Sequence, residues 1–161
     1  MYYDSPNKDM MQIAIGQGTT GMTPVHLNMI TNAIANDGVL MKPYVIDFVE
    51  NSMGSVVKQF SPSSEKRLIS SEEAAALKGL MRGVVEEGTA SRLKGLSYTA
   101  AGKTGSAEYN TVKGDSHAWF TGFAPVDDPK ISVTIIIEGA GSGGDFAVPI
   151  AKRIFDAYFQ E

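Results

Sequence analysis

The chain contains no cysteine, so disulfide bonds, thiolate metal sites and cysteine nucleophiles are excluded at the outset. Only two histidines are present, His26 and His117, far apart in sequence and without an adjoining carboxylate cluster, so no metal site is expected. Long hydrophobic runs are also missing. The most apolar stretch, Ile131 to Ile137, is interrupted by Ser132 and Thr134 and suits a strand rather than a membrane span. Residues Met1 to Met10 include Asp4, Asn7, Lys8 and Asp9 and form no hydrophobic signal segment; if the protein is exported, its signal is expected outside this chain. No cluster of basic residues occurs, and 14 Lys and Arg against 18 Asp and Glu give a formal charge of -4, so nucleic acid is not an expected partner.

What is present is the material of one domain. The 161 residues are 43% hydrophobic, enough to bury a core, and 17 glycines and 7 prolines are spread out as turn punctuation. A single unit over 1–161 is expected.

Thr23-Pro24 reads as a helix start, with Thr23 capping and Pro24 where a missing N–H costs nothing; Leu27, Ile30, Ala33 and Ile34 share a face before Asn36-Asp37-Gly38 stops the run. Tyr44 to Glu50 and Ser55 to Phe60 read as a peripheral hairpin around Asn51-Ser52-Met53-Gly54, with Ser63 to Lys66 in a solvated loop beyond it. Ser70 and Glu73 form a capping-box pattern for a second helix, carried by Ala74, Leu77, Leu80, Met81 and Val84 and ended by Gly88. Three strands follow, at Tyr98 to Glu108, His117 to Ala124 and Ile131 to Glu138. The turn Pro125-Val126-Asp127-Asp128-Pro129 makes the last two antiparallel neighbours. A Gly139 to Gly144 loop leads to a final helix with Ile150, Ala151, Ile154, Phe155 and Tyr158 on one side. The order predicts an α+β fold, an antiparallel sheet flanked by helices.

Chemistry concentrates in Ala101-Gly102-Lys103-Thr104-Gly105-Ser106-Ala107-Glu108. Residues two apart in a strand share a face, so the hydroxyls of Thr104 and Ser106 can meet one ligand while Gly105 lets it lie against the backbone. Lys103 adds positive charge. Hydroxyls and an ammonium suit a carboxylate, and a strand N–H can polarise a carbonyl oxygen. Gly102 reads as a packing position. Trp119 and Phe120 both read as core residues. The Gly139 to Gly144 loop lacks a following Lys-Ser/Thr and is not a phosphate cradle.

Five segments in order extend this motif: Ile15-Gly16-Gln17-Gly18 with Thr23-Pro24; Ala35-Asn36-Asp37-Gly38; Val84-Val85 with Gly88-Thr89-Ala90; Gly102 to Glu108; and Trp119-Phe120-Thr121-Gly122-Phe123-Ala124-Pro125. With the final Gly143-Gly144 and Ala147-Val148-Pro149-Ile150-Ala151-Lys152, they resemble the C-terminal half of the transpeptidase domain of class B penicillin-binding proteins.

The resemblance implies the penicillin-binding protein/serine β-lactamase-like fold, as a partial domain. It also implies a parent serine-type D,D-transpeptidase that cross-links peptidoglycan stem peptides on the extracytoplasmic face of the cytoplasmic membrane, and that β-lactam antibiotics acylate. Carried over by resemblance, Lys103 is catalytic, supporting proton transfer and shaping the electrostatics of the cleft. Thr104, Gly105 and Ser106 bind substrate, with the Ser106 N–H in the oxyanion hole. No cofactor is implied. The implied partners are stem peptides, β-lactams, other cell-wall synthesis proteins and the N-terminal part of the same domain.

The family's Ser-x-x-Lys motif has no convincing counterpart. Three strings spell it, at Ser5 to Lys8, Ser63 to Lys66 and Ser91 to Lys94, but none lies on an apolar helix well upstream of the Lys103 strand. Ser5-Pro6-Asn7 spells Ser-x-Asn equally by chance. The chain alone is therefore expected to be inert. Two alternatives remain open: a serine β-lactamase or β-lactam sensor domain, and a non-catalytic cell-wall interaction module.

Overall fold

A computed structural model of the chain describes residues 13, 16–17, 21–109 and 116–160. The Ser5 to Lys8 and Ser5 to Asn7 strings, together with Ile15 and Gly18, lie outside these residues.

Helix α1, Pro24–Ala35, starts as its sequence dictates: the Thr23 hydroxyl accepts from the His26 N–H at 3.2 Å, and proline follows the cap. It buries Thr31, Ala33 and Ala35. Helix α2, Ser71–Glu86, has the full capping box, with the Glu73 carboxylate accepting from the Ser70 N–H at 2.8 Å and the Ser70 hydroxyl accepting from the Glu73 N–H at 3.1 Å. The Ser70 N–H first, and then the Ser70 hydroxyl donating to the same carboxylate oxygen at 2.8 Å, hold the Glu73 carboxyl below its ordinary range. Of the apolar positions expected to face inward, Ala74 and Met81 do so together with Val85, whereas Leu77 and Leu80 face solvent.

Two short antiparallel pairs lie between these helices. β1 (Val39–Met41) pairs with β4 (Ser64–Arg67), and β2 (Phe48–Glu50) pairs with β3 (Val56–Gln59). The second pair is the expected hairpin, shorter than anticipated and exposed throughout. The first corrects the expectation of a solvated loop at Ser63 to Lys66. All four β4 side chains are exposed, so nothing alternates; backbone pairing and the Arg67 guanidinium, which donates to the Asp37 carbonyl at 2.6 Å, hold it in place.

The central sheet has the order β5 (Ala101–Glu108), β6 (Ser116–Ala124), β7 (Ile131–Ile137), antiparallel throughout. Residues 98–100, expected to extend β5, precede it. Gly143–Ala147, expected partly as open loop, form a π-helical turn leading into helix α3, Val148–Phe159. On α3, Val148, Ala151 and Phe155 are buried, whereas Ile150, Ile154 and Tyr158 of the expected apolar face are exposed.

Each sheet face carries helices. Thr104, Phe120 and Ala118 belong to the face covered by α3, where Phe120 packs with Val85, Leu93, Val148, Ala151 and Phe155. Ala101 and Phe123 belong to the other face, packed with Ala35 and Met81. The α1 face is joined by hydroxyls: Thr31 Oγ1 lies 2.7 Å from Thr121 Oγ1, which lies 2.7 Å from Thr134 Oγ1. Thr31 also donates to the Leu27 carbonyl, and Thr134 and Ser132 donate to Asn28 Oδ1. The result is a helix–sheet–helix arrangement, the α+β architecture expected from the sequence.

Candidate functional site

β5 stands at one end of the three-stranded sheet, so one of its edges has no strand partner among the described residues. The register with β6 sets its faces: Lys103 opposes Thr121 and Gly105 opposes Trp119 on the α1 side, while Gly102 opposes Gly122, Thr104 opposes Phe120 and Ser106 opposes Ala118 on the α3 side. The Thr104 and Ser106 hydroxyls therefore share a face, as expected, and Lys103 lies on the other. The free edge is where the two sets meet.

Two hydrogen bonds show which backbone groups point outward there. The Lys103 ammonium donates to the Thr104 carbonyl at 2.7 Å, and the Gln17 carboxamide donates to the Ser106 carbonyl at 3.0 Å. In an antiparallel sheet a residue's N–H and C=O point to the same side, so the N–H groups of Thr104 and Ser106 also face the free edge. The Ser106 N–H is thus available to a ligand's carbonyl oxygen, beside a cation.

On the α1 side of the edge lies a cleft of about 350 Å³, lined by Lys103 to Ala107 together with Gln17, Met22, Leu27, Trp119 and Thr121. Trp119 is thus a wall of this cleft, which corrects the expectation that it packs in the core; only Phe120 does, fully buried. Adjacent strand residues face opposite sides, so one of the pair lines the cleft and the other the core. A Cβ on Gly105 would point at this wall, 3.3 Å from Trp119 Cβ. Glycine there keeps the strand backbone approachable.

On the α3 side the site is braced from behind. Thr104, only 9% exposed, has its hydroxyl 2.5 Å from that of Thr89, and the Gly143 N–H donates to Ser106 Oγ at 3.4 Å. Gly143 lies so close that a Cβ would come within 2.3 Å of the Trp119 carbonyl oxygen and 2.6 Å of that of Gly105. Gly102 is a packing position: a Cβ there would strike the Phe120 ring at 2.4 Å.

Sequence reasoning did not single out Gln17, Thr89 or Thr121 as individuals, although all three fall inside the segments that carried the family resemblance. Neither Ser63 nor Ser91 enters the cleft; both are exposed, and Lys94 turns away to the Glu86 carbonyl at 3.0 Å. A second cleft of about 330 Å³, near Asp37 and the turn after β6, is polar. Its Asp37–Lys78 and Asp128–Lys130 pairs neutralise one another, and it holds no nucleophile beside a base.

Comparison with known proteins agrees with this geometry. The chain is 32% identical over 155 residues to the peptidoglycan D,D-transpeptidase PbpA of Mycolicibacterium smegmatis, spanning 92% of this chain and 31% of the relative. It is 30% identical over 172 residues to the peptidoglycan D,D-transpeptidase MrdA of Haemophilus influenzae, spanning 95% of this chain and 26% of the relative. Penicillin-binding protein A from M. tuberculosis, solved as a penicillin G acyl-enzyme complex, superposes with a TM-score of 0.82 at 30% identity over 92% of this chain and 34% of that one. The chain thus spans between about a quarter and a third of the length of these relatives. The model of the penicillin binding protein transpeptidase domain matches residues 4–156. With that match over nearly its whole length, the chain belongs to the penicillin-binding protein transpeptidase family.

Proposed function

We propose that this chain is the substrate-binding wall of a serine-type D,D-transpeptidase that cross-links peptidoglycan stem peptides and is acylated by β-lactams. In the reaction, a serine oxygen bonds to the penultimate residue's carbonyl carbon and gives up its proton. The terminal amide bond breaks, its nitrogen takes a proton, and the terminal amino acid leaves. The chain's share is recognition and charge stabilisation. Thr104 and Ser106 hold the terminal carboxylate, the Ser106 N–H takes the carbonyl oxygen as charge builds on it, and Lys103 supports proton movement. No cofactor is needed.

The observation that carries the reading is the outward parity of Ser106 beside Lys103 at a free edge. The serine and its base reside on sequence outside this chain, in keeping with the quarter to a third of the relatives' length that it spans. The parent acts at the extracytoplasmic face of the cytoplasmic membrane, held by an anchor outside this chain. Stem peptides, β-lactams and the remainder of the domain are its partners. Names borne by similar proteins favour the transpeptidase over a β-lactamase or sensor.

A fluorescent penicillin tests the assignment. The chain alone should gain no covalent label, whereas the parent protein should be labelled, and Thr104→Val should slow that labelling at least tenfold. A stable adduct on Ser5, Ser63 or Ser91 of the isolated chain would overturn the reading.

A further inference from the structure

Gln17 donates its carboxamide N–H to the outward carbonyl of Ser106 and also lines the cleft beside Lys103 and Gly105. A peptide laid antiparallel along this edge would exchange two bonds with Ser106: its carbonyl would accept from the Ser106 N–H, and its own N–H would donate to the Ser106 carbonyl. The second of those positions is already filled by the chain itself. The neighbouring outward carbonyl, that of Thr104, is filled in the same way by the Lys103 ammonium.

We propose that Gln17 is an internal stand-in for the substrate's amide N–H, closing the binding edge until a ligand carrying both an N–H and a carbonyl on the same residue displaces it. The inference rests on the binding role assigned to Ser106 and adds a residue that sets specificity. A carbonyl has two lone pairs, but the Gln17 side chain lies in the lane the added strand would follow, so the two donors compete for space as well as for the acceptor. Its bond is exposed, so a displaced carboxamide finds water and leaves no buried polar group unpaired. Capping the outward carbonyls also blunts an edge that would otherwise invite indiscriminate strand pairing. A ligand without the N–H would displace Gln17 and leave the Ser106 carbonyl without its partner, which favours acylamino compounds over simple esters or ketones.

The test is solution NMR on this chain with a short acetylated peptide ending in D-Ala-D-Ala. Through-bond coupling between Gln17 Nε2 and the Ser106 carbonyl carbon should be present in the free chain and vanish at saturation. Gln17→Met, which keeps the length and loses the donor, should bind the peptide about three- to tenfold more tightly, the scale of one hydrogen bond no longer in competition. Persistence of the coupling in the saturated complex, or unchanged or weaker binding by Gln17→Met while the Ser106 amide still shifts, would overturn the proposal and leave the binding wall standing. If the peptide shifts the Ser106 amide in neither protein, the binding wall itself is wrong and the role of Gln17 falls with it.

Discussion

Gly143 shows how tightly one residue can tie a site to the elements behind it. An alanine there would place a methyl against two backbone carbonyls, those of Trp119 and Gly105, and neither can rotate away as a side chain would. Gly143→Ala should therefore destabilise the fold by about 2–3 kcal/mol, read as a lower urea midpoint, with the largest amide shifts at Gly105 and Ser106. The same scale separates what the sequence could and could not reveal about the site. Lys103, Thr104, Gly105 and Ser106 were legible because a cation, hydroxyls and a glycine in one strand are a chemically odd mixture. Trp119 was misassigned because an aromatic in an apolar strand reads as core, and only the register opposite Gly105 sends it to the cleft. Gln17 carries no local signal, since its partner is 89 positions away in sequence.

At the scale of elements, the reciprocal bonds between Ser70 and Glu73 supply a clean test. Ser70→Ala removes the hydroxyl that satisfies the Glu73 N–H and should cost about 1 kcal/mol, seen as a lower thermal midpoint with helix content otherwise retained. Helices were legible where caps and periodicity agreed, as at Thr23-Pro24 and Ser70. The β1–β4 pair was not legible, because three residues on one side and four exposed polar ones on the other leave no alternation to read. The hairpin was legible from Asn51 to Gly54, where the Asn51 carboxamide oxygen accepts from the N–H groups of Met53 and Ser55.

At the scale of the whole molecule, three carboxylates fasten parts of the chain and share a sign. Asp37 is held below its ordinary range chiefly by its bond from Lys78, Glu73 by Ser70, and Asp156 by Lys152 and then Tyr98. A carboxyl depressed in the folded state adds stability above its ordinary value and loses it as the pH falls through the folded one. Urea midpoints should accordingly be level near neutrality and decline below about pH 4. Tyr98 runs the opposite way: burial first, then its bond to Asp156, raises its phenol, so stability should be full below the ordinary tyrosine value of 10.0 and fall at higher pH. Tyr98→Phe should remove that alkaline decline and, by taking away the second of the two bonds that lower Asp156, shrink the acid one, whose Asp37 and Glu73 parts remain.

The hydroxyl chain that joins α1 to the sheet can also be counted in protons. Thr31, Thr121 and Thr134 bring three hydroxyl hydrogens to four contacts, with the Leu27 carbonyl and Asn28 Oδ1 at the two ends. With Thr31 donating to Leu27 and Thr134 to Asn28, only the Thr121 hydrogen remains for the two contacts between hydroxyls, so one of those two is always without a hydrogen. Deleting the middle hydroxyl balances the count, leaving Thr31 to donate to Leu27 and Thr134 to Asn28. Thr121→Val, at a position only 7% exposed, should therefore stay within about 1 kcal/mol of the parent in urea denaturation, although it erases two 2.7 Å contacts.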